Sequence, residues 1–138
     1  MSLLEKTLVE LQTRASNVPE QVNARRLEAL NHVAQWIAAQ SSAESIDITV
    51  ICTHNSRRSH LGQVWLQAAA WQYAFDNLRT WSGGTEGTAL YPSAAEALRT
   101  QGVELSQNTD QENPIYRIQL QSGQSPFDVF SKRYSHPS

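Results

Sequence analysis

One cysteine, Cys52, and one methionine are all the sulfur in this 138-residue sequence. A single thiol excludes an internal disulfide framework, and without a thiolate cluster there is little basis for structural zinc. Long apolar runs are missing as well. None approaches the ~20 residues that a membrane-spanning helix needs, and the acidic start, LLEKTLVE, is unlike a secretory leader. An excess of one charge is also missing: 11 Lys and Arg against 13 Asp and Glu leave a net charge of −2. No broad basic field therefore points to nucleic acid or to an anionic membrane. What is present, 40% hydrophobic and 17% charged residues, is the balance of a globular chain with one real core and not of a disordered one. The expected setting is cytoplasmic, with Cys52 free and reduced, and no cofactor is implied. His54 and His60 lack the carboxylate or thiolate support that a metal site would need.

Helical spacing places Leu4, Leu8 and Leu11 on one face of residues 3–16. Asn17 and Pro19 supply a stop and a new start, with Asn17 or Val18 near the cap and the proline in the first turn. From Glu20 to about Gln40 the residues Leu27, Leu30, Val33, Ala34 and Ile37 recur at helical spacing beside Trp36. These two helices predict an N-terminal hairpin, residues 1–45, packed on a core domain of residues 46–138. SSAES is a short polar linker. IDITVIC, residues 46–52, fits a central parallel strand buried on both faces.

A helix is predicted from Ser59 or His60 to about Phe75, followed by a brief strand over Leu78–Trp81 and the glycine-containing loop SGGTEGT. Pro92 opens a further helix that Gly102 closes. Strand, turn, helix and strand imply a right-handed parallel crossover. After Pro114, IYRIQL and FDVFSKRY form a β-hairpin about Ser122–Ser125. Trp65, Trp71 and Trp81 are expected in the core.

The thiol sits where the first of these strands turns into a helix, in ITVICTHNSRRSHLGQ. Such a turn leaves backbone N–H groups without partners at a helix N-terminus, which with the helix dipole favours an anion. Successive amides there can wrap a tetrahedral oxyanion as a nest. Cys52 at its mouth should ionise below the ~8.5 of a free thiol, becoming a strong nucleophile. Arg58 can clamp two oxygens in its planar fork. Ser59 can donate a hydrogen bond to the sulfur, and Asn55 tolerates a left-handed backbone. The nucleophilic set is therefore Cys52, Arg58 and Ser59. Thr53, His54, Asn55, Ser56, Arg57 and Arg58 form the oxyanion-binding loop, with Ser82 and Thr85 behind it.

Cys52-Thr53-His54-Asn55-Ser56-Arg57-Arg58-Ser59 resembles the C-x-G-N-x-C-R-S loop of the low-molecular-weight protein tyrosine phosphatases and the arsenate reductases that share their fold. WSGGTEGTALYPSAAEALRTQGVELS is similar to that family's second strand, S-A-G-T loop and following helix. The resemblance covers Ile48–Ser106. It implies a flavodoxin-like α/β fold with the anion at the carboxyl end of the first strand. It also implies thiolate attack on phosphomonoesters of the phosphotyrosine type, or on arsenate.

Three departures matter. The family's general acid lies in an Asp-Pro step, and this chain has none: beyond SGGT its aspartates are Asp110 and Asp128, both expected at the surface. The family's third and fourth strands are missing too, so the sheet is expected to be incomplete on its C-terminal side. They either lie beyond Ser138 in a longer protein or were lost, and the bare edge favours a homodimer. Arg57 stands where a family cysteine would be, so arsenate reduction would need an external thiol. The alternative reading is a weak or inactive oxyanion-binding module without a general acid. A merely structural bend is the third.

Overall fold

The computed structural model describes residues 1–17, 22–108 and 112–137. Helix α1, Leu3–Ala15, opens on a capping box in which Ser2 and Glu5 satisfy each other's backbone amides. Helix α2, Ala24–Ala39, is capped by the Asn23 side chain, which accepts from the Arg26 amide. The second helix thus starts later than Pro19 implied, because Asn23 supplies the stronger cap; Val18 and Pro19 lie outside the described residues.

Strand β1, Ile46–Cys52, pairs in parallel with β2, Leu78–Gly84, in a register that sets Ile46 beside Leu78 and Cys52 beside Gly84. Helix α3, Arg58–Gln72, connects them. Helix α4, Pro92–Thr100, follows with proline in its first turn. At its end Gly102 adopts φ +90°, and a Cβ there would stand 2.5 Å from the Leu4 amide nitrogen. Strands β3 (Glu104–Gln107), β4 (Tyr116–Gln119) and β5 (Phe127–Val129) make a separate antiparallel sheet in the order β3-β4-β5. The β4–β5 hairpin was legible in the sequence. The β3 strand was not, since ELSQ is short and carries no β-branched residue.

The main core forms where α1, α3 and α4 meet the antiparallel sheet, through Leu4, Leu8, Val64, Leu98, Ile118 and Val129. Trp65 and Trp71 pack against it, half-buried. A smaller cluster joins Ile46, Ala70 and Leu78 to Ile37 of α2. Most of the α2 stripe stays in water: Leu30 is 56% exposed, Val33 51% and Trp36 50%. Contrary to expectation, β1 is buried on one face only. Asp47, Thr49 and Ile51 are exposed on the other, because α3 covers a single side of the two-stranded sheet and α2 leaves the other side open. Trp81 is exposed there too, its indole N–H donating to Asp47 (2.8 Å).

Nor is β1 central: among the described residues it pairs with β2 alone. The outer edge of β2 is closed without a strand. Gln67 and Gln63 of α3 bond the backbone of Leu78 and Thr80 at 2.9–3.0 Å. Further along, Gly84 donates to the Lys132 carbonyl and its own carbonyl accepts from the Tyr134 amide. These contacts blunt an edge that would otherwise offer unpaired backbone groups. No helix among the described residues is long and apolar enough to cross a membrane.

Candidate active site

Between the end of β1 at Cys52 and the start of α3 at Arg58, the chain reverses through five residues. Asn55 takes φ 46°, the left-handed region that asparagine tolerates. The carbonyls of residues 52–54 and 56 are taken by flanking segments. Cys52 O accepts from the Thr85 amide (3.2 Å), Thr53 O from the Glu86 amide (3.0 Å), and Ser56 O from the Tyr91 amide (2.9 Å). The Thr85 hydroxyl also donates to Thr53 O (3.1 Å). His54 O accepts from the hydroxyls of Ser131 (3.0 Å) and Thr88 (3.3 Å). Because a trans peptide is planar, each outward carbonyl turns the next amide the opposite way. The Asn55 amide, which follows the His54 carbonyl, is thereby turned toward the sulfur, where the amides of Ser56 and Ser59 join it.

The Cys52 sulfur lies 3.0 Å from the Ser59 hydroxyl. Asn55 Nδ2 donates to that same hydroxyl at 2.7 Å, which leaves the Ser59 proton available to a thiolate. Burial pushes the thiol up, but the Ser59 hydroxyl and the amides of Ser59, Ser56 and Asn55 outweigh it and bring Cys52 down to about 7. The lowering comes from these hydrogen bonds and not from the Arg58 guanidinium.

Above the sulfur opens a cavity of about 420 Å³ lined by Cys52, His54, Ser56, Arg57, Arg58 and Thr88. Arg58 reaches it from the first turn of α3. Arg57 is held over the Tyr91 ring, 4.0 Å from its centroid. His54 Nε2 meets Glu86 at 2.8 Å on the exposed rim. Thr53 is exposed and joins the loop through its backbone.

Of the two supporting residues read from sequence, Thr85 bonds the loop directly. Ser82 instead meets His60 Nδ1 at 3.2 Å, beneath the helix start. His60, in the first turn of α3, is fully buried, and among the described residues its Nε2 has no hydrogen-bond partner. Burial, and then the charge of Lys132, lower its pKa to about 4, so the ring is neutral at pH 7. Asp128 is paired with Arg117 on the antiparallel sheet, and Asp110 lies outside the described residues.

Sequence reasoning missed Thr88, Asn113, Ser131 and Lys132. One signal was available. The glycines of SGGTEG mark a close approach of backbones: a Cβ on Gly84 would fall 2.6 Å from Thr53 O and 2.7 Å from Asn55 N. On Gly83 it would fall 2.5 Å from the Tyr134 Cα.

No family model matches the chain, and no solved structure matches it. Among curated proteins, the arsenate reductase of Bacillus subtilis (strain 168) is 36% identical over 62 residues. That stretch is 45% of this chain and 42% of the relative, so the chain spans less than half of the protein it matches. The match and the loop geometry together support a distant relationship to the arsenate reductase and low-molecular-weight phosphatase group.

Proposed function

We propose that this chain binds a tetrahedral oxyanion in the 52–59 loop and attacks it with the Cys52 thiolate, as a phosphatase-like or arsenate reductase-like protein. The observation that carries the reading is a sulfur met by one hydroxyl and three backbone amides, with its pKa brought to about 7. On a phosphomonoester, sulfur forms a bond to phosphorus as the ester P–O bond breaks and the alkoxide or phenoxide takes a proton. Water then cleaves the S–P bond, releasing phosphate and the thiolate. On arsenate, sulfur displaces water from arsenic. An external thiol next attacks that sulfur, releasing arsenite as the S–As pair moves to arsenic, and a second external thiol reduces the mixed disulfide. The outside thiols carry the two electrons because Cys52 is the chain's one cysteine. Arg58 and the inward amides hold the oxyanion charge.

A second reading, oxyanion binding with weak or no turnover, is favoured by one feature: among the described residues, no aspartate or glutamate lines the cavity. Lost general acid help costs roughly 10²–10⁴ in rate. The test is hydrolysis of aryl phosphates and thiol-dependent arsenate reduction, alongside phosphate or vanadate protection of Cys52 from alkylation. Turnover abolished by Cys52→Ser and Arg58→Ala supports catalysis, and protection without turnover supports the binding module. Neither protection nor turnover refutes both. Pairing of two copies along the open β1 edge is part of the same proposal, and a monomer in sedimentation would count against it.

A further inference from the structure

We infer that Ser131, oriented by Asn113, is a positioning residue for the oxyanion loop, fixing the His54–Asn55 peptide so that the Asn55 amide faces Cys52. The inference rests on the oxyanion-loop reading above, and it concerns residues far outside the Cys-to-Arg motif.

The Ser131 hydroxyl has one proton, and its use can be followed. Its oxygen accepts from the Thr88 amide at 2.7 Å, so the proton is free to go to the His54 carbonyl at 3.0 Å, 77 residues away in sequence. That carbonyl shares a planar peptide with the Asn55 N–H. Holding the carbonyl on the outside holds the amide on the inside, where it is one of the three backbone donors to the Cys52 sulfur. Ser131 is in turn fixed by a two-point clamp: Asn113 Nδ2 donates to its carbonyl (2.8 Å) and its amide donates to Asn113 Oδ1 (3.2 Å).

The next residue repeats the contact from the other side of the same loop. The Lys132 amide donates to Asn55 Oδ1 at 2.9 Å. This fixes the carboxamide whose Nδ2 donates to Ser59. Asn55 and Ser59 are wholly buried and Ser131 nearly so, so water is shut out of the Asn55 bonds to Ser59 and Lys132, while the Ser131 bond to His54 is part-buried. The loop is thus held open by a segment 77 residues downstream, through one peptide plane and one carboxamide.

The experiment uses the whole chain and its single thiol. The pH profile of Cys52 alkylation gives the thiolate midpoint, and the phosphate concentration that protects Cys52 gives oxyanion affinity. Neither needs turnover. Ser131→Ala is expected to raise the midpoint above about 7 and to raise the half-protecting phosphate concentration on the order of tenfold. Ser131→Thr, which keeps the hydroxyl, should recover most of both. Leu8→Ala, a core truncation that touches no loop bond, should lower the unfolding midpoint and leave both readouts unchanged. If Ser131→Ala does not fold, Asn113→Ala, which removes only the clamp, should move both readouts the same way by less.

A lowered wild-type midpoint that stays put in Ser131→Ala, or in Asn113→Ala where that variant decides, overturns the positioning role and leaves the oxyanion reading intact. A midpoint that moves in a protein that turns over neither ester nor arsenate upholds the positioning role and refutes catalysis. An ordinary wild-type midpoint with no phosphate protection ends both.

Discussion

Ser59→Ala removes a single oxygen, and its consequences can be followed from that atom outward. In the native loop the Ser59 hydroxyl accepts from Asn55 Nδ2 and meets the Cys52 sulfur, to which it donates once that sulfur is a thiolate. After the substitution the sulfur loses the largest of the influences that lower its pKa. Its midpoint should climb from about 7 toward that of an ordinary thiol. A rise of one unit takes the thiolate fraction at pH 7 from about one half to about one tenth, so alkylation slows roughly fivefold. Asn55 meanwhile keeps a buried N–H with no acceptor, a loss of about 1–3 kcal/mol. Both effects come from one bond pair, and they are read by different instruments: alkylation against pH for the first, urea unfolding for the second.

The sign of the pH dependence follows from the same atom. Cys52 is an acid whose native pKa lies below its unfolded value. Between the two values the unfolded chain holds the proton and the native chain does not, so stability rises with pH from about 7 upward and is lost as pH falls through 7. Ser59→Ala should flatten that rise. Alkylation profiles of wild type and variant that superimpose would refute the account of why this thiol ionises early.

Two other outcomes are expected. His60 is buried and neutral, with a native value of about 4 against 6.5 in the unfolded chain; the unfolded chain therefore takes its proton first as pH falls. Stability should drop across that window by up to about 3 kcal/mol, and urea unfolding of His60→Gln should show a shallower slope there. Gly84→Ala would press a methyl against three backbone atoms at 2.5–2.7 Å, which should cost about 1–3 kcal/mol and raise the Cys52 midpoint by forcing the loop off its supports.

The part of the site that sequence could reveal is the part that is local. Cys52, Asn55, Arg58 and Ser59 lie within one strand-turn-helix, where the geometry of a helix start and the donor types of the side chains fix what the segment can do. The parallel crossover followed from the same local periods. Burial of β1 on both faces did not hold, because it depends on whether another layer arrives, and a β-branched run such as ITVI suits a half-covered strand as well. The burial of His60 was not legible for a related reason: its surroundings are Ser82 and Lys132, from two distant segments. Nothing in FDVFSKRY announced that Ser131 would reach His54, since a serine near a strand end is ordinarily a turn residue.

The two-stranded sheet is enough for this site because little of the loop's geometry depends on sheet width. β1 and β2 need only deliver Cys52 and Gly84 side by side, which their register does. From there the carbonyls of residues 52–54 are taken by Thr85, Glu86, Thr88 and Ser131, and the glycine at 84 lets those segments come within backbone contact. The outer edge of β2 is closed by glutamine side chains and by Gly84's bonds to Lys132 and Tyr134. One segment thus does two things: it ends the sheet and it sets the direction of the amides around sulfur. A change that loosens 131–134 should therefore be felt at Cys52 before it is felt in the core, since the core cluster of α1, α3, α4 and β3–β5 lies on other contacts.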